Sequence, residues 1–233
     1  VEKGFRESPQ VDLESLSDYE QMKSKLSMEV VSAEKNAELL ESVPHERMED
    51  MAVVYRFVLD QTDSGNGTIL VTNQLLDQYG ITKEQLRADA MENAPEIRPS
   101  EIRGMSEVMS ELAPGMIPEV APEDEQMFVA TVPDKIHGAG VIAYPNFMED
   151  AAEKMGGDFF VLPSSIHEVL LVKDNGQMTA KELENMVKEV NATQVEPADQ
   201  LTDHVYHYDS QNHIFELADK YEERQREAEH EAV

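Results

Sequence analysis

Two apolar runs joined by turn residues limit the folds that this chain can adopt. The runs, Met51 to Leu59 and Thr68 to Thr72, are rich in the β-branched and aromatic residues that favour buried strands. The segment between them, Asp63 to Gly67, contains Ser-Gly and Asn-Gly pairs that tolerate the positive φ angles of a hairpin turn. The pattern predicts two antiparallel strands, and weaker alternation predicts another strand over Lys25 to Ser32.

The second half of the chain repeats the hairpin pattern. Its predicted strand pairs are Met127 to Val132 with Gly140 to Ala143 and Phe159 to Leu162 with Glu168 to Val172, followed by a last strand at Val205 to Tyr208. Hairpins separated by helices predict an α+β fold, with a mostly antiparallel sheet and short helices packed on it. A parallel α/β sheet would instead alternate strand and helix singly.

Capping signals predict where the helices begin and end. Four residues that can cap a helix are followed three positions later by Glu or Gln: Ser17 with Glu20, Thr82 with Gln85, Asn146 with Glu149, and Thr179 with Glu182. Gly80 and Gly156 are predicted stops, and a helix is expected to end before Pro95. Further helices are predicted over Glu34 to Glu41, over Ser100 to Leu112 and from Ile214 onward.

A Pro-rich acidic connection over residues 114–126 is the best candidate for a boundary between two units. It would separate an N-terminal α+β half over 1–113 from a C-terminal α+β half over 127–215. A charged helical tail over 216–233 is expected to be a solvated helix that frays at its end. One continuous domain is the alternative.

The net charge restricts the partners of the chain. It carries 48 Asp and Glu against 19 Lys and Arg, which gives a formal charge of −29. A surface this negative repels nucleic acid, because binding DNA or RNA requires cations, and it disfavours anionic membranes. The charge favours a basic protein as partner and by itself permits weak nonspecific binding of divalent cations.

Other bulk features favour a cytoplasmic protein. There is no Cys, which fits a reducing compartment, and no apolar stretch approaches the roughly 18 residues of a membrane helix. The chain begins at Val1 without an apolar signal region, so it is expected to be a fragment or a processed product. Gly138-Ala139-Gly140 and Gly65-Asn66-Gly67 lack the context of a dinucleotide loop, and no cofactor is predicted.

The segment from Pro163 to Glu168 places hydroxyls, an imidazole and a carboxylate close together in sequence. Ser164 or Ser165 with His167 and Glu168 is the candidate catalytic set, because nucleophilic catalysis needs a hydroxyl bonded to an oriented base. Known triads gather such groups from distant segments. A hairpin loop in which the Ser hydroxyls cap backbone amides is therefore the favoured interpretation.

The densest histidine cluster is His204, His207 and His213, with Asp203 and Asp209 nearby. His-x-x-His spacing can ligate zinc, which makes these histidines the candidate metal ligands. On a strand, however, positions three apart point to opposite faces, so His204 and His207 would not converge. A polar strand edge without a bound metal is therefore predicted.

Several segments resemble an uncharacterised family of domains of unknown function: DMAVVYRFVL, GTILVTNQLLDQYGITKEQL, GGDFFVLPSSIHEVLLV and EVNATQVEPADQLTDHVYHYD. The family is common in gut Firmicutes, often within integrative and conjugative elements, and the resemblance covers nearly the whole chain. VPHERMEDMAVVYR with ILVTN is also distantly similar to the YtpQ-like family of Bacillus relatives. The resemblance implies a bacterial cytoplasmic protein whose relatives carry a further N-terminal stretch, and it implies no activity and no catalytic residues.

Three functions follow, and an enzyme is not the favoured one. A non-catalytic binding or accessory protein fits the lack of strong catalytic motifs and the charge that suits a basic partner. An acidic mimic of DNA that blocks a DNA-binding defence enzyme fits the charge and the mobile-element setting that the resemblance implies. A hydrolase is the third, and it requires His167 to lie in a cleft within reach of a hydroxyl. The oligomeric state is left open.

Overall fold

One long strand is the centre of the first antiparallel sheet. The protein is described here by a computed structural model that covers residues 16–62, 65–163 and 165–232. The strands of this sheet are β1 (Leu26–Ser32), β2 (Glu46–Met48), β3 (Met51–Thr62) and β4 (Gly65–Leu70). β3 pairs antiparallel with β1 along one edge and with β2 and β4 along the other. The predicted β3–β4 hairpin is confirmed, and its turn residues Asp63 and Ser64 lie outside the described residues.

The second sheet is larger and again antiparallel throughout. Its strands are β5 (Glu101–Gly104), β6 (Met127–Thr131), β7 (Phe159–Leu162), β8 (Val169–Lys173), β9 (Tyr206–Asp209) and β10 (Ile214–Leu217). They lie in the order β10-β9-β7-β8-β6-β5, and the predicted β7–β8 hairpin is at the centre. Two antiparallel sheets with short helices confirm the predicted α+β class.

Helices and short 3₁₀ segments connect the strands. The helices are α1 (Tyr19–Met22), α2 (Ala37–Leu40), α3 (Asn73–Tyr79), α4 (Lys83–Ile97), α5 (Met105–Leu112), α6 (Phe147–Met155), α7 (Ala180–Thr193) and α8 (Ala218–Glu231). The longest 3₁₀ segment is Gly138–Ala143. The Thr82 hydroxyl accepts a hydrogen bond from the Gln85 amide, and Thr179 with Glu182 forms a complete capping box, as predicted. Gly80 and Gly156 end their helices in the left-handed conformation that glycine favours.

The main hydrophobic core contains side chains from both sheets. Successive side chains of β7 point to opposite faces of the sheet. Phe159 and Val161 join the main core, while Phe160 and Leu162 face a second cluster with α7. On the other sheet, Ala52 and Val54 of β3 face a third cluster under α2. The main core includes residues from both sides of the 114–126 connection.

The predicted strand over Gly140 to Ala143 is wrong, since these residues belong to the 3₁₀ segment Gly138–Ala143. This segment packs against β1 at very short range. A Cβ atom on Gly140 would lie 2.3 Å from the carbonyl oxygen of Met28, so only glycine allows this approach. β6 pairs with β5 and β8 instead of forming the predicted local hairpin.

The predicted helix over Ser100 to Leu112 is wrong in its first part. Residues Glu101–Gly104 form β5, which pairs with the free edge of β6, and only Met105–Leu112 is helical. Long-range strand pairing here overrides the local helical periodicity. Helix α4 also continues through Pro95 to Ile97, because Ala90 and Ala94 are buried in the main core and hold its last turns in place.

Other predicted boundaries need correction. Ile214 begins β10 rather than a helix: Asp209 Oδ1 accepts the amides of Gln211 and Asn212, which makes a turn back from β9. Asp18, not Ser17, caps α1, because its carboxylate accepts the Glu20 amide. Asn146 precedes α6 with a positive φ of 63° and no capping side-chain hydrogen bond, and α2 begins at Ala37 rather than Glu34.

Candidate functional site

The predicted catalytic segment lies in the loop between β7 and β8. Ser164 falls outside the described residues. The Ser165 hydroxyl oxygen accepts the backbone N–H of His167 at 3.0 Å, and Ser165 forms a bridge with Gln200. Glu168 is exposed. The Ser165 hydroxyl therefore caps a backbone amide of its own loop.

Both ring nitrogens of His167 are directed at partners other than a hydroxyl. Nδ1 accepts the backbone N–H of His137 at 3.0 Å, which places the ring proton on Nε2. Nε2 lies 3.4 Å from Asp199 Oδ1. This pattern holds the ring in one tautomer and orientation, and it does not leave His167 free to act as a base toward Ser165.

His137 lies beside His167 in a strained backbone conformation. Its φ is 54°, its ring centre is 5.4 Å from that of His167, and its Nδ1 is 3.5 Å from Glu29 Oε1. Glu29 is buried and pairs with Arg56 Nε at 2.8 Å. Burial lowers the pKa of His137 below its usual value, and the nearby Glu29 carboxylate opposes that effect. Glu29, Arg56 and His137 line one side of a cleft of about 350 Å³.

The three candidate metal-ligating histidines lie at three different places. His204 precedes β9 and its Nδ1 is 2.6 Å from Asp50 Oδ2. His213 follows β9 in the turn, with Nδ1 3.2 Å from the Tyr208 hydroxyl. His207 lies within β9 and is completely buried. The His-x-x-His spacing thus does not bring these imidazoles to one site.

His207 instead faces two carboxylates, Asp174 and Asp158, that are not among the predicted ligands. Its Nε2 is 2.8 Å from Asp174 Oδ2 and 3.9 Å from Asp158 Oδ2. Asp158 directly precedes β7 and Asp174 directly follows β8, and the pairing of these antiparallel strands brings the two ends together. The predicted hairpin already contained this signal, because its outer ends must meet.

A different surface extends along α5 and the connection that follows it. We call residues 105–125 the acidic–apolar segment. Its acidic residues are Glu107, Glu111, Glu119, Glu123, Asp124 and Glu125, and it contains no Lys or Arg. Within it, Leu112 and Met116 are 77% and 79% exposed. The segment combines negative charge with large apolar side chains that face solvent.

Comparison with known proteins identifies one family. The family model described as "Family of unknown function (DUF5688)" matches residues 2–210. No curated protein and no solved structure matches the chain. In the described ranges 16–62, 65–163 and 165–232, no helix is both long and apolar enough to cross a membrane.

Proposed function

Because the chain belongs to DUF5688, a family of unknown function, its own surface must guide a functional assignment, and we propose a non-catalytic accessory protein that binds a basic partner. The acidic–apolar segment is the observation that carries this proposal. The resemblance to proteins of gut Firmicutes and their conjugative elements, and the distant likeness to the YtpQ-like family, support a bacterial cytoplasmic protein of mobile-element origin.

The apolar part of the surface comes from α5 and the residues after it. Although Met105, Val108, Met109 and Leu112 repeat with helical spacing, α5, which lies wholly in the described part of the chain, buries none of its residues. Met116 and Val120 continue the exposed apolar surface beyond the helix. Clustered exposed apolar side chains mark interaction sites, and methionines adapt to the shape of a partner.

The charge of the segment defines the chemistry of the partner. Glu107 and Glu111 both pair with Arg103, which lies just before the segment, while Glu119, Glu123 and Asp124 are exposed. An amphipathic partner segment with Lys or Arg around an apolar face would match this surface in both charge and hydrophobicity. The same acidic surface would repel nucleic acid.

Local contacts hold the base of the surface in place. Glu125 is buried, and its carboxylate accepts hydrogen bonds from the backbone amide and the hydroxyl of Ser106. The carboxylate thereby caps the first turn of α5. A Cβ atom on Gly104 would lie 3.0 Å from Glu125 Oε2, so glycine leaves room for this cap. A groove of about 280 Å³ lies beside it, lined in part by Val120 and Phe128. The part of the surface around Ser106 and Glu125 is therefore held in place before a partner binds.

Affinity capture from the native host, with quantitative mass spectrometry, tests the proposal. The bait proteins are the parent chain, a Leu112→Glu/Met116→Glu variant and, as control, Leu39→Glu, which changes an exposed apolar residue on α2. We expect a protein with a basic amphipathic segment to be retained by the parent and the control and lost from the double variant. Its measured affinity should fall at least tenfold in the double variant and should weaken as salt increases.

Two outcomes would overturn the proposal. A partner that binds the double variant as well as the parent would not use the acidic–apolar segment. Capture of a nuclease or methyltransferase that duplex DNA displaces would favour the DNA-mimic function instead.

A further inference from the structure

We propose that Asp158, Asp174 and His207 form a binding site for a divalent transition-metal ion at the outer end of the β7–β8 hairpin. One ligand atom from each residue lies within 4.8 Å of the other two. Ligand atoms at about 2.1 Å from a metal ion and at right angles to one another are separated by about 3 Å. The observed distances from His207 Nε2 to the two carboxylate oxygens, 2.8 and 3.9 Å, are close to that separation.

The buried imidazole is the distinguishing feature of this site. The His207 ring stacks on Tyr221 of α8, with ring centres 3.6 Å apart and an angle of 15°, and meets Phe160 edge-on at 5.2 Å. Its Nε2 points at the two carboxylates, while Nδ1 has no hydrogen-bond partner among the described residues. Packing between two aromatic rings thus sets the ring orientation, and Nε2 is the one nitrogen positioned for a ligand.

Hydrogen bonds hold Asp158 and Asp174 in place, and solvent still reaches both carboxylates. Asp158 Oδ1 accepts hydrogen bonds from the amide and hydroxyl of Ser210, at 2.8 and 2.6 Å, so Oδ2 is the oxygen left to face His207. The Asp174 amide donates to the carbonyl of Asp158 at 3.1 Å, which joins the two loops. The two carboxylate side chains are 26% and 24% exposed, so an ion can enter from solvent and keep bound water.

The donor set selects the class of ion. Two carboxylates neutralise a divalent cation, and the imidazole nitrogen favours ions such as Mn²⁺, Fe²⁺, Co²⁺ or Zn²⁺ over Mg²⁺ and Ca²⁺, which prefer oxygen ligands alone. The net charge of −29 raises the local concentration of all cations, but only this site supplies a directed nitrogen among the described acidic clusters of this kind. The site involves no residue of the acidic–apolar segment and is independent of the proposed protein binding.

Calorimetric titration of the chelator-treated full chain with Mn²⁺ and with Zn²⁺ tests the site. Millimolar Mg²⁺ in the buffer occupies weak surface carboxylates. We expect one saturable ion per chain, with at least a tenfold loss of affinity in Asp174→Asn and in Asp158→Asn. Asp77→Asn, which changes an exposed aspartate on α3, is the matched control and should stay within about twofold of the parent. Equal affinity in all of these proteins, or binding that Mg²⁺ abolishes, would overturn the proposal.

NMR with diamagnetic Zn²⁺ supplies a second readout that does not depend on the variants folding normally. Substoichiometric Zn²⁺ should shift the ring signals of His207 first, because a diamagnetic ion perturbs mainly the groups that it contacts. His204 and His213 are internal controls, because each also lies near a carboxylate, Asp50 and Glu149 respectively. Equal shifts of all three rings at the same Zn²⁺ concentration would indicate nonspecific surface binding and would contradict the site.

Discussion

His167 and His207 differ in what their ring nitrogens meet. The nitrogens of His167 face the backbone N–H of His137 and the carboxylate of Asp199. His207 has one nitrogen with no hydrogen-bond partner in the described residues and the other aimed at two carboxylates. The first ring joins two loops through both of its nitrogens, whereas the second makes a single hydrogen bond, between Nε2 and Asp174, at the site that we propose for a metal ion.

Burial strengthens this contrast. His167 is partly exposed and lies next to His137, which lines a cleft of the kind where a catalytic imidazole is usually sought, while His207 is completely buried and stacks on Tyr221. The contacts of the ring nitrogens lead to the opposite conclusion, because both nitrogens of His167 have partners away from the serine, while Nε2 of His207 is directed at two carboxylates. Exposure and proximity to a serine are therefore poorer guides to function here than the hydrogen bonds that each ring already makes.

The largest effect is expected where the His167 loop touches its neighbours. In Gly138→Ala, the new Cβ would lie 2.0 Å from Thr131 Oγ1 and 2.5 Å from the carbonyl oxygen of His167. We expect a loss of about 3 kcal/mol in the free energy of unfolding, measured by urea denaturation, because both neighbours are fixed. Gly67→Ala is the control, since its Cβ would make only ordinary contacts beginning at 3.7 Å. Equal stability of the two variants would mean that the loop is not tightly held.

The second prediction concerns the ring that we assign to metal binding. At a free Mn²⁺ concentration about 100 times the dissociation constant, the parent should gain about 2.7 kcal/mol in stability. His207→Phe retains a ring between Tyr221 and Phe160 but cannot bind the ion, so it should gain nothing. Thermal and urea unfolding with and without Mn²⁺ measure this difference. A similar gain in the parent and in His207→Phe would show that His207 does not bind the ion. It would remove the distinction drawn between the environments of His167 and His207.

Local signals in the sequence were sufficient for part of the fold. Thr82 and Thr179 cap their helices through bonds to residues three positions away, so their role does not depend on the rest of the molecule. The β7–β8 hairpin was predictable because its two strands follow one another directly in the sequence. The expectation that His204 and His207 diverge rested on both lying on one strand, whereas His204 lies before β9.

Distant contacts explain what the sequence did not reveal. Glu101–Gly104 looks helical in isolation and is a strand because β6, more than twenty residues later, offers a free edge. The sequence predicts a strand over Gly140 to Ala143, which the structure places in a 3₁₀ segment, because the close packing of this segment on β1 cannot be read from its composition. The pairing of Asp158 with Asp174 was derivable from the hairpin, but the placement of His207 beside them depends on β9 pairing with β7.

The third prediction tests whether His167 is only structural. His167→Ala leaves the His137 amide without its acceptor, and we expect a loss of about 1–2 kcal/mol in the free energy of unfolding. His167→Asn, whose side-chain oxygen can accept the same N–H, should recover part of this loss. Metal affinity at the Asp158–Asp174–His207 site should stay within about twofold of the parent in both variants. A tenfold change in that affinity would show that the two regions are coupled.

The smallest effect is a pH dependence confined to the cleft. Burial lowers the pKa of His137 in the folded protein, with Glu29 opposing and Arg56, His167 and Arg98 reinforcing the shift. As the pH falls through about 6.5, the unfolded chain therefore binds a proton that the folded protein still excludes, and stability decreases. His137→Asn lacks this contribution, and asparagine tolerates the positive φ at this position. The difference in unfolding free energy between parent and variant should shrink from pH 7.5 to pH 5.5. A difference that grows instead would mean that the Glu29 carboxylate affects the pKa of His137 more than burial does. His137, like His207, would then be held in place by a carboxylate.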